Sequence, residues 1–404
     1  MEFRTIEPDE FDAFLTTVAN AFAEPSLDDF EVLRDRKRLE TDRLWAAIDD
    51  GRIVGGLGAY SWPTTVPGGG SLATACLTAV GVLPTHRRRG ILAALMGRVL
   101  AQSAERGEPL SILFASEAAI YGRFGFGRAT VGLELDVHVD RTPFVEGAPS
   151  GGRTRLLARE DALGPMKGVY DVAAARRPGM IPLDERDFDW LFTESGKREE
   201  KPFYAVHEDD EGSPDAYVVY RAKHEWPDGL PHVEVTARQL VASTPLGAAA
   251  IWRFLFDIDL VHRVKTDDRP IDEPLQWLLR EPRAMRAKLF DGLYARPVDV
   301  PSALAGRGYA AEGRLVLEVV DRFVPANDGT YELTVRDGRA LCVRTADEPD
   351  LACGVDAVGA VFLGGATWRE LSRAGRVQER HPAALAAADA MFSCDPPPWA
   401  PFMF

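Results

Sequence analysis

The chain has 404 residues, of which 46% are hydrophobic and 27% are charged, so its composition is that of a globular protein and its length predicts two or three domains. The formal net charge of −15 argues against nonspecific nucleic-acid binding and favours cationic ligands. The four cysteines, Cys76, Cys342, Cys353 and Cys394, lack the spacing of metal ligands or of a disulfide framework, which predicts no metal site and a reducing compartment.

The first sixty residues follow a pattern of strand, two helices and two strands. The predicted strands are residues 3–6, 45–48 and 53–60, and the predicted helices are residues 9–22 and 27–40. The opening residues lack the basic segment and apolar run of a signal peptide, and no stretch of about 18 apolar residues predicts a transmembrane helix. We therefore expect a cytoplasmic protein with no membrane partner.

A basic loop between a strand and a helix is the most informative feature of the chain. Residues 72–82 alternate like a pleated strand that ends at Pro84, and residues 91–100 are apolar at helical spacing. The residues of the loop are His86, Arg87, Arg88, Arg89 and Gly90. A helix N-terminus presents unpaired N–H groups, and together with these guanidinium groups it would suit a pyrophosphate. A solvated basic turn is the alternative interpretation.

The run Arg87-Arg-Arg-Gly90-Ile-Leu92 resembles the acetyl-CoA pyrophosphate loop of the GCN5-related N-acetyltransferases (GNAT), with Leu92 where a small residue is usual. Residues 82–92, residues 115–126 and the final Phe404 together resemble the enhanced-intracellular-survival (Eis) branch of that superfamily. The resemblance implies a mixed α/β fold, in which tandem GNAT folds precede a sterol-carrier-protein-like α+β domain. It also implies acetyl-CoA as the co-substrate and no metal.

The strand predicted at residues 111–115 is short and apolar, which favours a buried position. Ser116 and Glu117 follow at its carboxyl end, where ligands bind in open α/β sheets. In the resembling family the pantetheine arm lies between two splayed strands, here near residues 80–82. The expected cofactor-binding residues are Val80, Gly81, Val82, Arg87, Arg88, Arg89, Gly90, Ile91, Leu92, Ala93, Ser116 and Glu117. Residues 133–137 are expected to close this sheet.

We expect three domains, with a GNAT acetyltransferase in residues 1–145, a GNAT-like domain without a CoA loop in 146–290, and a sterol-carrier-like domain in 291–404. The stretch 145–152 is rich in Gly, Pro and Ser and marks the first boundary. In the last domain Asp337-Gly338 predicts a hairpin turn, and the apolar run 355–363 predicts a strand.

Acetyl transfer to an amine needs a base for the amine, an acid for the leaving thiolate, and reactants held in reactive geometry. Tyr121 is the candidate acid, because a phenol with a pKa near 10 is protonated at neutral pH; a core tyrosine is the alternative. The resemblance assigns the base to the α-carboxylate of Phe404, with Glu117 or a water as the next candidates. Four prolines and three aromatic residues in the tail 394–404 would stiffen and anchor it.

The acceptor is expected to be a small cationic amine, either an aminoglycoside or a polyamine, or a lysine-bearing peptide. Phe22, Glu24, Ala79 and Met403 are the candidate substrate-binding residues, and Asp28 and Asp29 lie near the first two. Met403 stands where an acidic residue would help to bind a polycation, and Ala79 where a bulky aromatic could line the pocket. The resemblance further implies a homo-hexamer. A CoA- or lipid-binding protein without catalysis is the alternative function.

Overall fold

The computed structural model describes residues 1–24, 36, 38–193 and 201–404. These residues form two compact units, one made of residues 1–130, 292–398 and 404, and the other of residues 131–291 and 399–403. The predicted helix 27–40 falls largely outside the described residues, as do Asp28 and Asp29. None of the described helices is both long and apolar enough to span a membrane.

The first unit contains a seven-stranded sheet that carries the basic loop. In spatial order its strands are Glu2–Thr5, Leu44–Asp49, Arg52–Thr65, Ser71–Val82, Leu110–Phe114, Leu293–Pro297 and Gly127–Arg128. Its helices are Phe11–Ala21, Ile91–Glu105 and Ala118–Tyr121. Ile91, Leu95 and Val99 lie one turn apart and are all buried, so the helix after the basic loop packs one apolar face on the sheet.

One strand prediction was wrong. Residues 133–137 were expected to close the first sheet, but Val131–His138 pairs with Val261–Pro270 and Lys288–Asp291 in the second unit. Leu293–Pro297 pairs with Leu110–Phe114 instead and completes the first sheet. An alternating apolar pattern specifies burial and leaves the partner strand open, and Leu135 and Val137 are buried in the core of the second unit.

The second unit is built on its own seven-stranded sheet. In spatial order the strands are Lys288–Asp291, Val131–His138, Val261–Pro270, His232–Ala242, Pro214–Glu225, Phe203–Glu208 and Arg153–Leu157. The helices are Arg159–Ala174, Glu185–Leu191, Pro245–Phe256 and Leu275–Leu278. The predicted first domain, residues 1–145, contains Val131–His138, whereas this strand forms its hydrogen bonds within the second sheet.

A third sheet, of five strands, belongs to the first unit. Its strands are Arg339–Arg344, Gly329–Arg336, Gly313–Val320, Leu351–Gly354 and Val377–Glu379, and its helices are Val300–Ala305, Val355–Phe362, Trp368–Arg373 and Ala384–Phe392. The predicted hairpin is confirmed, since Arg336 pairs with Arg339 across Asp337 and Gly338, both at positive φ.

The strand predicted at residues 355–363 was wrong, because Val355–Phe362 is a helix. Seven of its eight residues are buried, so it has no polar face and its sequence shows no helical period. A Cβ on Gly359 would lie 2.0 Å from the Ala295 carbonyl oxygen. Glycine therefore lets this helix lie directly on the strand Leu293–Pro297.

Candidate active site

The strand Ser71–Val82 separates from its neighbour at the point where the site begins. It pairs in parallel with Leu110–Phe114 from Thr74 to Leu77, and residues 78–82 extend beyond that register. On its other side the strand pairs with Arg52–Thr65, and there Ala79 and Val80 both lie opposite Leu57. This extra residue forms a β-bulge, in which Ala79 has a φ of 51°. A bulge bends the strand and redirects its side chains, and such bulges are common beside active sites.

The basic loop leads into the N-terminus of the helix Ile91–Glu105. Gly90 is its N-cap residue at a φ of 79°, and the first bond of the helix runs from the Ala94 N–H to the Gly90 carbonyl. The N–H groups of residues 91–93 precede that bond and have no acceptor within the helix. Arg87 donates from Nη2 to the Ala21 carbonyl at 3.1 Å, which ties the loop to the first helix.

A cavity of about 830 Å³ lies in the first unit, over this helix end. Eleven predicted cofactor positions line it: Val80, Gly81, Val82, Arg87, Arg88, Gly90, Ile91, Leu92, Ala93, Ser116 and Glu117. Tyr121 and Phe22 also line it. Arg89, the twelfth predicted residue, instead pairs with Asp49 at 3.2 Å. Arg88, which lies between Arg87 at the cavity and Arg89 beside Asp49, has a positive φ of 63°, so the backbone turns there.

Sequence reasoning missed five residues of the cavity wall: Ala21, Ile120, Arg123, Phe124 and Phe323. His86, which was named only as part of the basic loop, lines the cavity as well. Arg123 and Phe124 lie within the segment that resembles the Eis branch, so that segment was the available signal. Phe323 lies about 200 positions from Tyr121 in the sequence, and no local pattern indicates its approach. Across the described ranges, no group of three His, Cys, Asp or Glu side chains is arranged to hold a metal ion.

Tyr121 ends the short helix Ala118–Tyr121 and is 4% exposed. Its ring meets the edge of the Phe126 ring at a centroid distance of 6.2 Å. Burial raises the pKa of the Tyr121 phenol above its ordinary value of 10, and the hydrogen bond with Ser116 opposes that effect. The side chain is therefore a protonated phenol at neutral pH, at the wall of the cavity.

Phe404 belongs to the first unit and lies among aromatic rings. Its ring is 5.3 Å from the ring of Phe114 and 6.0 Å from that of Trp62, both in edge-on geometry. Trp62 in turn stacks on Tyr60 at 4.1 Å. Phe404 is not part of the 830 Å³ cavity wall, although Phe114 ends the strand that leads to Ser116 and Glu117.

Trp399 anchors the earlier part of the tail within the second unit. Its indole Nε1–H donates to Asp268 Oδ1 at 2.8 Å, and its backbone N–H donates to the Pro178 carbonyl at 2.9 Å. The guanidinium of Arg269 lies 5.1 Å from the Trp399 ring. Desolvation raises the pKa of Asp268 to about 7. Trp399 and Phe404 are thus each held by contacts of their own.

Of the four predicted acceptor residues, one lines the cavity wall. Phe22 lines the cavity and Ala79 forms the bulge beside it. Glu24 is exposed at the end of the first helix, and Met403 is 74% exposed and belongs to the second unit.

In the second unit the corresponding helix start is filled by side chains. The helix Pro245–Phe256 is capped by Thr244, whose Oγ1 accepts from the Gly247 N–H at 2.9 Å and donates to Asp215. A Cβ on Gly247 would lie 2.7 Å from that of Ala216. The first turn of this helix is thus capped by a side chain of the chain itself, and the absence of a CoA loop in this domain stays a prediction.

Three family matches and several relatives describe what this chain is similar to. Residues 2–129 and 179–296 each match an acetyltransferase (GNAT) domain, and residues 300–401 match a sterol carrier protein domain. An uncharacterized N-acetyltransferase of Streptomyces avermitilis is 38% identical over 407 residues, covering 100% of this chain and 99% of the relative. The N-acetyltransferase Eis of Mycobacterium tuberculosis is 34% identical over 353 residues, covering 84% and 83%. The crystal structure of Eis1 from Mycobacterium abscessus aligns over 100% of both chains with a TM-score of 0.87 and 33% identity.

Proposed function

Since this chain belongs to the family of Eis N-acetyltransferases and carries its GNAT domains, we propose that it transfers the acetyl group of acetyl-CoA to a primary amine of a cationic acceptor. The observation that carries the proposal is the 830 Å³ cavity, which joins an uncapped helix N-terminus, two arginines and a protonated tyrosine in one space. A pyrophosphate and a thioester are the two parts of acetyl-CoA that these groups suit.

The co-substrate is bound at two places along the cavity. The N–H groups of residues 91–93 and the guanidinium groups of Arg87 and Arg88 bind the pyrophosphate, because aligned donors and positive charge stabilise an anion there. The pantetheine arm lies along residues 78–82, whose backbone extends beyond its pairing with Leu110–Phe114. Ser116 and Glu117 flank the same space.

In the reaction the acceptor amine attacks the thioester carbon, so a C–N bond forms and the C–S bond breaks. The amine gives its proton to the α-carboxylate of Phe404, and the leaving thiolate takes a proton from the Tyr121 hydroxyl. The aromatic contacts of Phe404 support this role, since they hold the terminal residue in one place. Glu117 is the second candidate base, because it lines the cavity together with Tyr121.

The net charge supports a cationic acceptor. The chain has a net charge of −15, which attracts cations over a long range and favours aminoglycosides, polyamines and lysine side chains. We also propose that the protein is a cytoplasmic homo-hexamer with no nucleic-acid or membrane partner. Its three parts would be a catalytic GNAT domain, a GNAT-like domain that binds no CoA, and a sterol-carrier-like domain.

The test is an acetyl-CoA-dependent thiol-release assay with N-terminally tagged protein against panels of aminoglycosides, polyamines and lysine peptides. Thiol release that depends on an amine, and acetylated product of the expected mass, would support the proposal. Tight acetyl-CoA binding without thiol release for any amine would contradict it and favour a CoA-binding protein without catalysis.

A further inference from the structure

A buried ion pair lies behind the cavity, in the first unit. Arg296, on the strand Leu293–Pro297, is 0% exposed and donates from Nη2 to Asp321 Oδ2 at 2.5 Å. Its Nη1 donates to the carbonyl oxygen of Phe124. A buried charge is costly unless it is paired and hydrogen-bonded, so both contacts are needed to keep the guanidinium in place.

The acidic partner fixes a second part of the wall. Asp321 follows the strand Gly313–Val320, and its Oδ1 accepts from the backbone N–H groups of Phe323 at 3.1 Å and Val324 at 2.9 Å. The Asn327 side chain donates to Asp321 Oδ2 at 3.2 Å. One carboxylate thus orders the turn that presents the Phe323 ring to the cavity.

The two segments that the ion pair holds are in contact through their aromatic rings. The rings of Phe124 and Phe323 are 4.9 Å apart with an interplanar angle of 71°, and both line the cavity. Phe124 falls within the first GNAT match, and Phe323 within the sterol carrier protein match. The sterol-carrier-like part therefore supplies a piece of the wall around the proposed acyl-donor site.

Gly125 makes the arginine contact possible. It has a φ of 83°, and a Cβ there would lie 1.9 Å from Arg296 Nη1. The preceding turn, Gly122–Phe124, directly follows Tyr121, and the Phe126 N–H returns to the Tyr121 carbonyl at 3.3 Å. Arg296 consequently holds the far end of the turn that begins at the proposed acid.

We propose that Arg296 and Asp321 are positioning residues for acetyl transfer, and that Phe323 binds the apolar part of the acyl donor. The inference rests on the proposed function and extends it. Arg296 acts on Tyr121 through the turn that ends at Phe124, and Asp321 acts on acetyl-CoA through Phe323. The test has two arms, one that measures acetyl-CoA binding and one that measures transfer. Because the binding arm needs no turnover, its outcome is independent of whether an acceptor is found.

The binding arm is measured by calorimetry with acetyl-CoA on the full, N-tagged chain. Phe323→Ala removes a partly buried aromatic ring from the cavity wall and should weaken binding about tenfold. Asp321→Asn should weaken it as well, because an amide cannot accept from both the turn and Arg296 with the same geometry. Combined with Phe323→Ala, it should add little. Unchanged affinity in Phe323→Ala, which alters no buried charge, would overturn this assignment, and so would additive losses.

The transfer arm uses Arg296→Lys, which keeps the charge but loses the fork that reaches two acceptors. We expect kcat at saturating acetyl-CoA to fall about tenfold, through a poorly placed acid. In a Tyr121→Phe background the same substitution should cost little more, because the hydroxyl that it positions is already absent. An equal loss in both backgrounds would overturn the positioning role. A fully active Tyr121→Phe variant would instead refute the acid assignment and leave the binding arm standing.

A matched control is available in the same unit. Arg43 and Glu108 form another buried pair, at 2.8 Å, and neither lines the cavity. Glu108→Gln removes a buried carboxylate of the same kind and should lower stability while leaving kcat and KM for acetyl-CoA unchanged. Equal kinetic losses in Glu108→Gln and Asp321→Asn would contradict a specific role for Asp321.

Discussion

Tyr121→Phe separates the proposed acid from a core tyrosine, because it removes one hydroxyl and keeps the ring. The ring is 4% exposed and packs against Phe126, so the fold should tolerate the change. The lost hydrogen bond with Ser116 is expected to cost about 1 kcal/mol of stability. Loss of general acid catalysis should lower the transfer rate about 10²–10⁴-fold, or about 2.7–5.4 kcal/mol of barrier. The kinetic effect therefore exceeds the structural one.

The pH profile gives a second signature. Burial raises the pKa of Tyr121 above 10, so ionisation of this acid should lower the wild-type rate on the alkaline side of that value, and the variant should lack this limb. A raised folded-state pKa also means that this group's contribution to stability is lost as pH rises through it, so the folded fraction must be followed at each pH.

The assay is thiol release at saturating acetyl-CoA, with acetyl-CoA affinity measured separately. Tyr309→Phe is the matched control, since the Tyr309 hydroxyl donates to the Leu304 carbonyl at 2.7 Å and its side chain is not part of the cavity wall. It should retain the wild-type rate. A Tyr121→Phe rate within about twofold of wild type would return Tyr121 to the core and refute the acid assignment.

Three further predictions concern the loop, the terminus and the second unit. At Gly90, where a Cβ has open space but φ is 79°, Ala should cost about 1 kcal/mol of stability, whereas Glu should also weaken acetyl-CoA binding more than tenfold by calorimetry. A permanent extension after Phe404 should abolish transfer and spare acetyl-CoA affinity. Equal rates for N-tagged and C-tagged enzyme would refute the carboxylate as base and leave Glu117 or a water as the next candidates. Because the pKa of Asp268 is raised to about 7, ionising it should cost stability as pH rises from about 4 through 7. Asp268→Asn should remove that loss in denaturation curves measured over this range, and parallel profiles would contradict it.

The part of the site that could be predicted is the part made by neighbouring residues. Gly90 is at positive φ and directly precedes the helix, and the arginines of the loop directly precede Gly90. Because these features are adjacent in the sequence, the local pattern was enough to predict the anion site. Even there a single dihedral matters, since the turn at Arg88 leaves Arg89 paired with Asp49. The bulge at Ala79 was not predicted, because it depends on how the strand registers with Leu57.

Long-range pairing accounts for the larger errors. Residues 133–137 alternate apolar and acidic side chains, and Leu293–Pro297 is a short strand that contains one arginine. Neither pattern specifies which sheet the segment joins. The helix Val355–Phe362 was taken for a strand because a segment buried on all sides has no period. Pairing between segments that are distant in the sequence decides which sheet each of these two strands joins.

One feature of the sequence did indicate how the unpredicted wall residues Phe124 and Phe323 are brought to the cavity. Arg296 stands in the apolar run of the strand Leu293–Pro297, and an arginine in a central strand requires a buried partner. The strand shows where that charge lies, but not that its acceptors are Asp321 and the Phe124 carbonyl, the latter 172 positions earlier. Gly125 carries the complementary half of the signal, because only a glycine leaves room for the guanidinium at that carbonyl. In the sequence, Arg296 has no evident partner and Gly125 has no evident role. Considered together, they predict the contact that the structure shows between Arg296 and the turn at Gly125.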